Sequence, residues 1–313
     1  MRKRQVCKRL LQIVIVLVGI SFLSFLLIYL APGDPVRAMF AVSGSIPSED
    51  IMANIRENLG LNRPFPAQYG SWLLNCLKGD FGISYTNGQP VTRLLAARVA
   101  PTIQLTLLSL AMMMVMAIPL GVLSALYQNR PLDYVIRGVT FFSISMPNFW
   151  VGLLLLYFVA LKLGWLPVVS TGMGIQKMLM PAFTLGFAMA GKYSRQVRAA
   201  VLEELNQDYV SGARARGLKE SVILWRHVIP NAMLPLITLL GLSLGSLLGG
   251  TAVVEIIFSY PALGSLAISA ITAMDYPVIQ GFVLWISLIY MVVNLAVDIS
   301  YNFLDPRLRK GAF

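Results

Sequence analysis

Polar and apolar residues fall along this chain in long blocks rather than with a short period. Six windows, approximately 10–31, 101–126, 138–162, 179–197, 232–257 and 280–303, are apolar enough to form transmembrane helices. A hydrocarbon core of about 30 Å needs roughly 20 helical residues to cross it, and each window approaches that length. Two polar blocks interrupt the series. One runs from Pro32 to Ala100; the other, from Arg198 to Pro235, reads as helix, glycine corner, helix. In the second block Asp208 is placed to cap a helix over Tyr209–Arg216. Gly217 then supplies the left-handed residue that ends it. Lys219-Glu220-Ser221 opens the next segment, and Trp225 suits a membrane interface ahead of Pro230 and Pro235.

The Pro32–Ala100 block is too long for a structureless connection. Ser48-Glu49-Asp50 opens a short helix over Ile51–Leu59 that Gly60 stops, and Ala67–Leu77 forms a second, with Tyr69, Trp72, Leu73 and Cys76 on one side. The expected organisation is a cytoplasmic N-terminus and first span in 1–31, an extracytoplasmic subdomain in 32–100, a five-helix core in 101–303 and a cytoplasmic tail in 304–313. Pro119 and Pro147 fall inside spans, where each removes a backbone donor and kinks its helix.

Composition turns this pattern into a fold class. With 57 % hydrophobic and 12 % charged residues and a mean hydropathy of +0.72, the chain is an all-α polytopic membrane protein with six transmembrane helices. The basic start (Arg2, Lys3, Arg4, Lys8, Arg9) resembles a secretory signal. The apolar run behind it is longer than a signal's, however, and no small-x-small site follows, so it is a retained anchor. If both termini lie in the cytoplasm, seventeen Lys and Arg fall inside and eight outside, as the positive-inside rule requires. The net charge of +11 therefore reflects topology and contact with anionic membrane lipid, and nucleic acid is not expected. Cys7 and Cys76 fall on opposite sides in this topology and form no disulfide.

Candidate chemistry inside the spans is sparse. Glu255 and Asp298 are acids in or at the ends of spans, costly in lipid and so turned toward protein or water. With Asn148 they are the candidate pathway residues, although Asp298 equally suits helix packing beside Asn294. Met112, Met113, Met114 and Met116 cover several helix faces and read as packing. His227 is the single histidine, and no metal site is expected. The run Gly186-Phe187-Ala188-Met189-Ala190-Gly191-Lys192-Tyr193 approaches a phosphate-binding loop. Tyr193 stands where Ser or Thr would hold magnesium and no strand precedes it, so nucleotide binding is not expected here.

Asp208-Tyr209, Ala213-Arg214-Ala215-Arg216-Gly217-Leu218 and His227-Val228-Ile229-Pro230-Asn231-Ala232 resemble the cytoplasmic coupling loop of ABC-importer membrane subunits. Ser211-Gly212-Ala213 stands where that family writes Glu-Ala-Ala, and His227 replaces an Ile. The wording is similar to the dipeptide, oligopeptide and nickel branch. Ala31-Pro32-Gly33-Asp34-Pro35, Gly79-Asp80-Phe81-Gly82, Ser145-Met146-Pro147, Glu255-Ile256-Ile257-Phe258, Asp275-Tyr276-Pro277-Val278 and Asp305-Pro306-Arg307 agree with it. One departure is Ala262, where the branch has Gly; a positive φ there would be strained.

The resemblance implies a type I ABC-importer permease fold and a loop, 198–231, that docks a partner ATPase. Coupling would involve Asp208, Tyr209, Ala213, Arg214, Ala215, Arg216, Gly217, His227 and Pro230. It further implies two ATPase subunits that bind ATP and Mg, a second homologous permease subunit and an extracytoplasmic substrate-binding protein. The chain itself would hold no cofactor and be no enzyme. The short Gly164–Lys177 loop leans toward nickel as cargo, with short peptides close behind. The alternative is a stand-alone proton- or ion-coupled carrier using Glu255 and Asp298; a membrane enzyme finds no nucleophile and base to support it.

Overall fold

The computed structural model describes residues 3–31, 33–41, 47–170 and 174–304. Its helices are α1 (Lys3–Leu30), α2 (Pro35–Ala41), α3 (Glu49–Asn58), α4 (Phe65–Leu77), α5 (Val91–Leu126), α6 (Pro131–Ser145), α7 (Asn148–Leu155), α8 (Ile175–Leu205), α9 (Asp208–Ala215), α10 (Glu220–Ile223), α11 (Ile229–Gly250), α12 (Ala252–Ile257), α13 (Leu263–Thr272) and α14 (Tyr276–Leu304). Wider π-turns follow α7 (Leu156–Lys162) and α10 (Leu224–Val228). The only strand-like contact among the described residues is one bridge between Ile83 and Pro90. The tail expected at 304–313 lies outside the described residues beyond Leu304, as does the side chain of Asp298.

Among the described residues three helices are long and apolar enough to cross a membrane: Leu11–Leu30 within α1, Val91–Leu126 and Tyr276–Val297. The window expected at 138–162 is a bent pair, α6 and α7, turned through 102°. The cause is Pro147: the residue before a proline is pushed out of the helical region, and Met146 is extended at φ −84°, ψ 132°. Pro119, by contrast, sits in the unbroken α5. The windows 179–197 and 232–257 fall within α8 and on α11 with α12.

The chain forms two compact units, Met1–Thr102 with Pro261–Val292, and Ile103–Tyr260 with Val293–Phe313. In the first, Phe22, Phe25 and Tyr29 of α1 meet Phe65, Tyr69 and Trp72 of α4, with ring centroids 5.0 to 5.7 Å apart. Offset and edge-on rings of this kind add about 0.5–1.5 kcal/mol per pair beyond their buried area. Val91 and Leu95 of α5 pack with Leu263 and Ala270 of α13 and Val278 of α14. Asp275, 2 % exposed, accepts hydrogen bonds from Ser84 Oγ (2.5 Å) and the backbone N–H groups of Tyr85 (3.1 Å) and Thr86 (3.2 Å). Two segments 191 residues apart are joined by that one carboxylate. Asp34 pairs with Arg56, whose hydrogen bond is the main reason the Asp34 carboxyl sits below its usual range, against an opposing push from burial. The expected strain at Ala262 is absent, because its φ is −119°. The left-handed residue of this turn is Ser259, at φ 51°.

In the second unit α8 packs against α6, α7 and α11. Its glycines explain the run that imitates a phosphate loop: a Cβ on Gly191 would lie 2.6 Å from the Thr140 carbonyl oxygen, and one on Gly186 2.9 Å from that of Ser109. They are spaced for close helix contact, not for a nucleotide. Tyr193, 4 % exposed, shares a hydrogen bond with Ser243 of α11. We expect Gly191→Ala to destabilise the folded protein by about 1–3 kcal/mol, the usual cost of overpacking, seen as a lower thermal midpoint in detergent. An unchanged midpoint would mean that α6 and α8 do not approach this closely.

Candidate coupling surface

Helix α9 is short, and its position depends on two inward side chains. Val210 is fully buried and Ala213 is 4 % exposed. They pack with Val122, Ala125, Val197, Val201, Ile223, Val228, Ala232 and Leu236, a cluster drawn from α5, α8, α10, the second π-turn and α11. The spacing of three residues puts both on one face. Asp208, Tyr209, Arg214, Ala215 and Arg216 are exposed around the rest of the helix, Arg214 and Tyr209 flanking the buried stripe and Asp208 and Ala215 opposite it.

Asp208 is the first residue of α9 and not its cap; Gln207 holds the cap position, extended at ψ 148° and without a side-chain bond. An acid in the first turn still complements the helix dipole. The far end is as expected. Gly217 has φ 76°, its N–H reaches the Arg214 carbonyl at 2.9 Å, and the Leu218 N–H reaches that of Ala213 at 3.3 Å. These two bonds close the helix in a Schellman turn, which needs the left-handed residue that only Gly adopts without strain.

Ion pairs and hydrogen bonds then fix the outer face. Arg214 grips Glu220 of α10 through Nε to Oε1 (2.7 Å) and Nη2 to Oε2 (3.3 Å), holding the Glu220 carboxyl below its ordinary value. Arg216 turns back, its Nε donating to the Gly212 carbonyl at 3.2 Å. Tyr209 Oη donates to Glu204 at 2.6 Å and accepts from Asn231 Nδ2 at 3.4 Å, so one ring ties α8 to α11. Burial, and then the Glu204 carboxylate, push the Tyr209 phenol above its usual pKa.

His227 and Pro230 are exposed, and His227 lies in the π-turn that precedes α11. Proline lacks an N–H and crowds the carbonyl four residues earlier, so the wider turn accommodates it where a regular helix would clash. Trp225, also in that turn, is 68 % exposed. Thus Tyr209, Arg214, Ala215, Arg216 and Gly217 are exposed on or just after α9, Ala213 faces the core, and His227 and Pro230 lie beyond α10.

The candidate pathway residues do not gather in the same way. Asn148 is exposed at the first position of α7, just beyond the bend. Glu255 is fully buried and accepts a 2.5 Å hydrogen bond from Thr251 Oγ1.

A group absent from the sequence reading sits against the α9 cluster. Asp133, at the start of α6, is fully buried, and Arg198 of α8 is 21 % exposed. Arg198 Nε and Nη2 reach the two Asp133 oxygens at 3.0 and 2.9 Å. Ser124 Oγ (2.5 Å) and the Asn129 N–H (3.0 Å) complete the shell. Arg198 is one residue from Val197, and Ser124 is one from Ala125, both in the α9 cluster. Arg198 opens the second polar block, but nothing in a 65-residue separation announced its pairing with Asp133.

With this geometry in place, comparison with known proteins gives the class. The family model described as the binding-protein-dependent transport system inner membrane component matches residues 117–310, and its N-terminal companion matches residues 2–106. The chain belongs to this family: it is an inner-membrane permease subunit of a binding-protein-dependent ABC importer. Among its relatives is the glutathione transport system permease protein GsiC. The Pectobacterium atrosepticum protein is 37 % identical over 302 residues, covering 96 % of this chain and 97 % of that one. The Escherichia coli K12 protein is 36 % identical over 304 residues, covering 97 % and 98 %. In fold, the inward-facing MetNI methionine ABC transporter matches with a TM-score of 0.58 at 19 % identity, covering 68 % of this chain and 96 % of that one. The nucleotide chemistry of such importers resides in a separate ATPase, so this multi-pass plasma-membrane chain is neither an enzyme nor a cofactor carrier.

Arg198→Met should lower the thermal midpoint, because it strands a buried carboxylate. The double variant Asp133→Asn/Arg198→Met should recover most of the loss. Equal losses in single and double variants would show that the pair adds nothing to α5–α6–α8 packing.

Proposed function

We propose that the chain forms one half of a translocation pathway for a short peptide of the glutathione class and takes its drive from a separate ATPase at the α9 surface. The observation carrying the coupling role is the exposure of Asp208, Tyr209, Arg214, Ala215 and Arg216 on a short helix anchored by Val210 and Ala213. A push on that helix reaches α5, α8, α10 and α11 together, since the cluster beneath it is built from all four. Supporting the cargo class is near full-length likeness to permeases named for glutathione, a tripeptide. That favours peptide over the nickel suggested by loop length. The proposed topology keeps six crossings with both termini in the cytoplasm. A second related permease would complete the pathway, and a binding protein would deliver cargo from outside. Asn148 is proposed to border the pathway, while Glu255 and Asp298 stay assigned to helix packing or the pathway wall.

The coupling role is tested by charge reversal. Arg214→Glu/Arg216→Glu should leave membrane insertion intact and abolish cargo-stimulated ATP hydrolysis in proteoliposomes of the full importer. Arg214→Glu/Glu220→Arg restores the internal pair with reversed polarity. If that swap also restores coupling, the α9–α10 pair matters and the face is not a docking site. Cargo is tested on the cognate binding protein by calorimetry with glutathione, a dipeptide and Ni²⁺. Tight binding of Ni²⁺ with no peptide heat would remove the peptide assignment.

A further inference from the structure

Most of the surface of α8 is taken up by its neighbours. Ser194 Oγ donates to the Ala117 carbonyl of α5 at 3.3 Å, Gly191 lies against α6 at Thr140, and Tyr193 meets Ser243 of α11. What remains is a stripe of Ala188, Lys192, Arg195 and Ala199, half-buried at the first residue and exposed at the other three. At about 100° per residue the four fall within roughly 60° of arc.

Two properties set this stripe apart. It carries no large apolar side chain, since none is exposed on α8 after Phe183. Neighbouring helices of the same unit differ, with Val135, Val139, Phe141 and Phe142 exposed along α6 and Phe149 and Leu153 along α7. A face of alanine and cations, within the window 179–197 that reads as a span, suits water or a polar partner and not hydrocarbon. The second property is that its cations are unpaired. Arg198 binds Asp133 and Arg214 binds Glu220, while Arg137 and Lys162 lie over the rings of Tyr134 and Tyr157. Lys192 and Arg195 make no ion pair, hydrogen bond or ring contact with any of the described residues. Lys192 also ends the run that imitates a phosphate loop; helix packing accounts for the glycines of that run but not for its lysine.

Two cations three residues apart on a helix hold their Cβ atoms about 5–6 Å apart, so their heads can take two carboxylates of one small molecule or both oxygens of one. We propose that Lys192 and Arg195 form a carboxylate site on the wall of the translocation pathway and make the importer selective for short peptides with more carboxylates than ammonium groups. Glutathione, with two carboxylates and one ammonium, is of this kind. Solvated ion pairs are individually weak, so the site attracts cargo without trapping it. The inference rests on the proposed pathway and adds the charge class of what passes through it.

The full importer with its binding protein is reconstituted in proteoliposomes. Uptake of glutathione is compared with that of its glycine monoethyl ester, which has one carboxylate fewer, each at a concentration that saturates the binding protein by calorimetry. Lys192→Gln/Arg195→Gln should lower glutathione uptake about tenfold, the size expected of two partly screened charge contacts, and change ester uptake far less. Lys192→Arg/Arg195→Lys keeps both charges and should keep the preference for glutathione. Raising the ionic strength should narrow that preference in the unaltered importer. An unchanged ratio of glutathione to ester uptake in the Gln pair overturns the proposal. Equal loss of both cargos, or loss of the second permease subunit on co-purification, also overturns it and assigns the face to a subunit contact. A loss seen only in liposomes containing phosphatidylglycerol overturns it in favour of lipid. A binding protein that takes peptides but no anionic ones overturns this inference and leaves the peptide reading in place, whereas binding of Ni²⁺ without peptide removes both.

Discussion

One buried ion pair, Asp133 with Arg198, ties α6 to α8 beside the apolar cluster that seats α9. A carboxylate with no exposure is tolerable only when every oxygen is engaged, and here Arg198, Ser124 and the Asn129 backbone engage both. The requirement fixes three elements at once: the end of α5, the start of α6 and the C-terminal part of α8. Val122, Ala125, Val197 and Val201 then stand where α9 can seat Val210 and Ala213. The apolar cluster gives adhesion, but it is the pair that sets the registration of the helices beneath it.

Much of the fold could be read from the chain because lipid imposes a simple code. A spanning segment must satisfy its own backbone, so apolar length announces helix. The corner at Gly217 was equally legible, since one residue type dominates that conformation. The break at Met146-Pro147 was legible as a kink but not as a turn of 102°, whose size depends on what α7 packs against, Phe258 beside Gly152 among others. Asp208 was misplaced by one position because Asp serves equally well as cap or as first-turn acid. Ala262 was expected to be strained by analogy with a glycine; the left-handed residue lies three positions earlier.

The side-chain networks were the least legible part. Asp275 and Ser84, or Asp133 and Arg198, lie far apart in sequence, and a single chain carries no record of which distant polar residues will meet. Motifs quoted separately by resemblance, the one around Asp80 and the one around Asp275, turn out to belong to adjoining walls of one unit. The glycines of α8 show the converse hazard. Their spacing imitates a nucleotide loop, yet Gly186 and Gly191 serve the approach of neighbouring backbones.

The bend between α6 and α7 bears on the life of the chain before assembly. At the bend the Trp150 and Val151 N–H groups find the Pro147 carbonyl (3.0 and 3.3 Å) and Ser145 Oγ covers that of Phe141 (2.9 Å). The last carbonyls of α6 beyond these still lie past the reach of an α-helical partner, and hydrocarbon supplies none. A newly inserted copy would carry a wettable notch along its side until another protein surface or an aqueous space covered it.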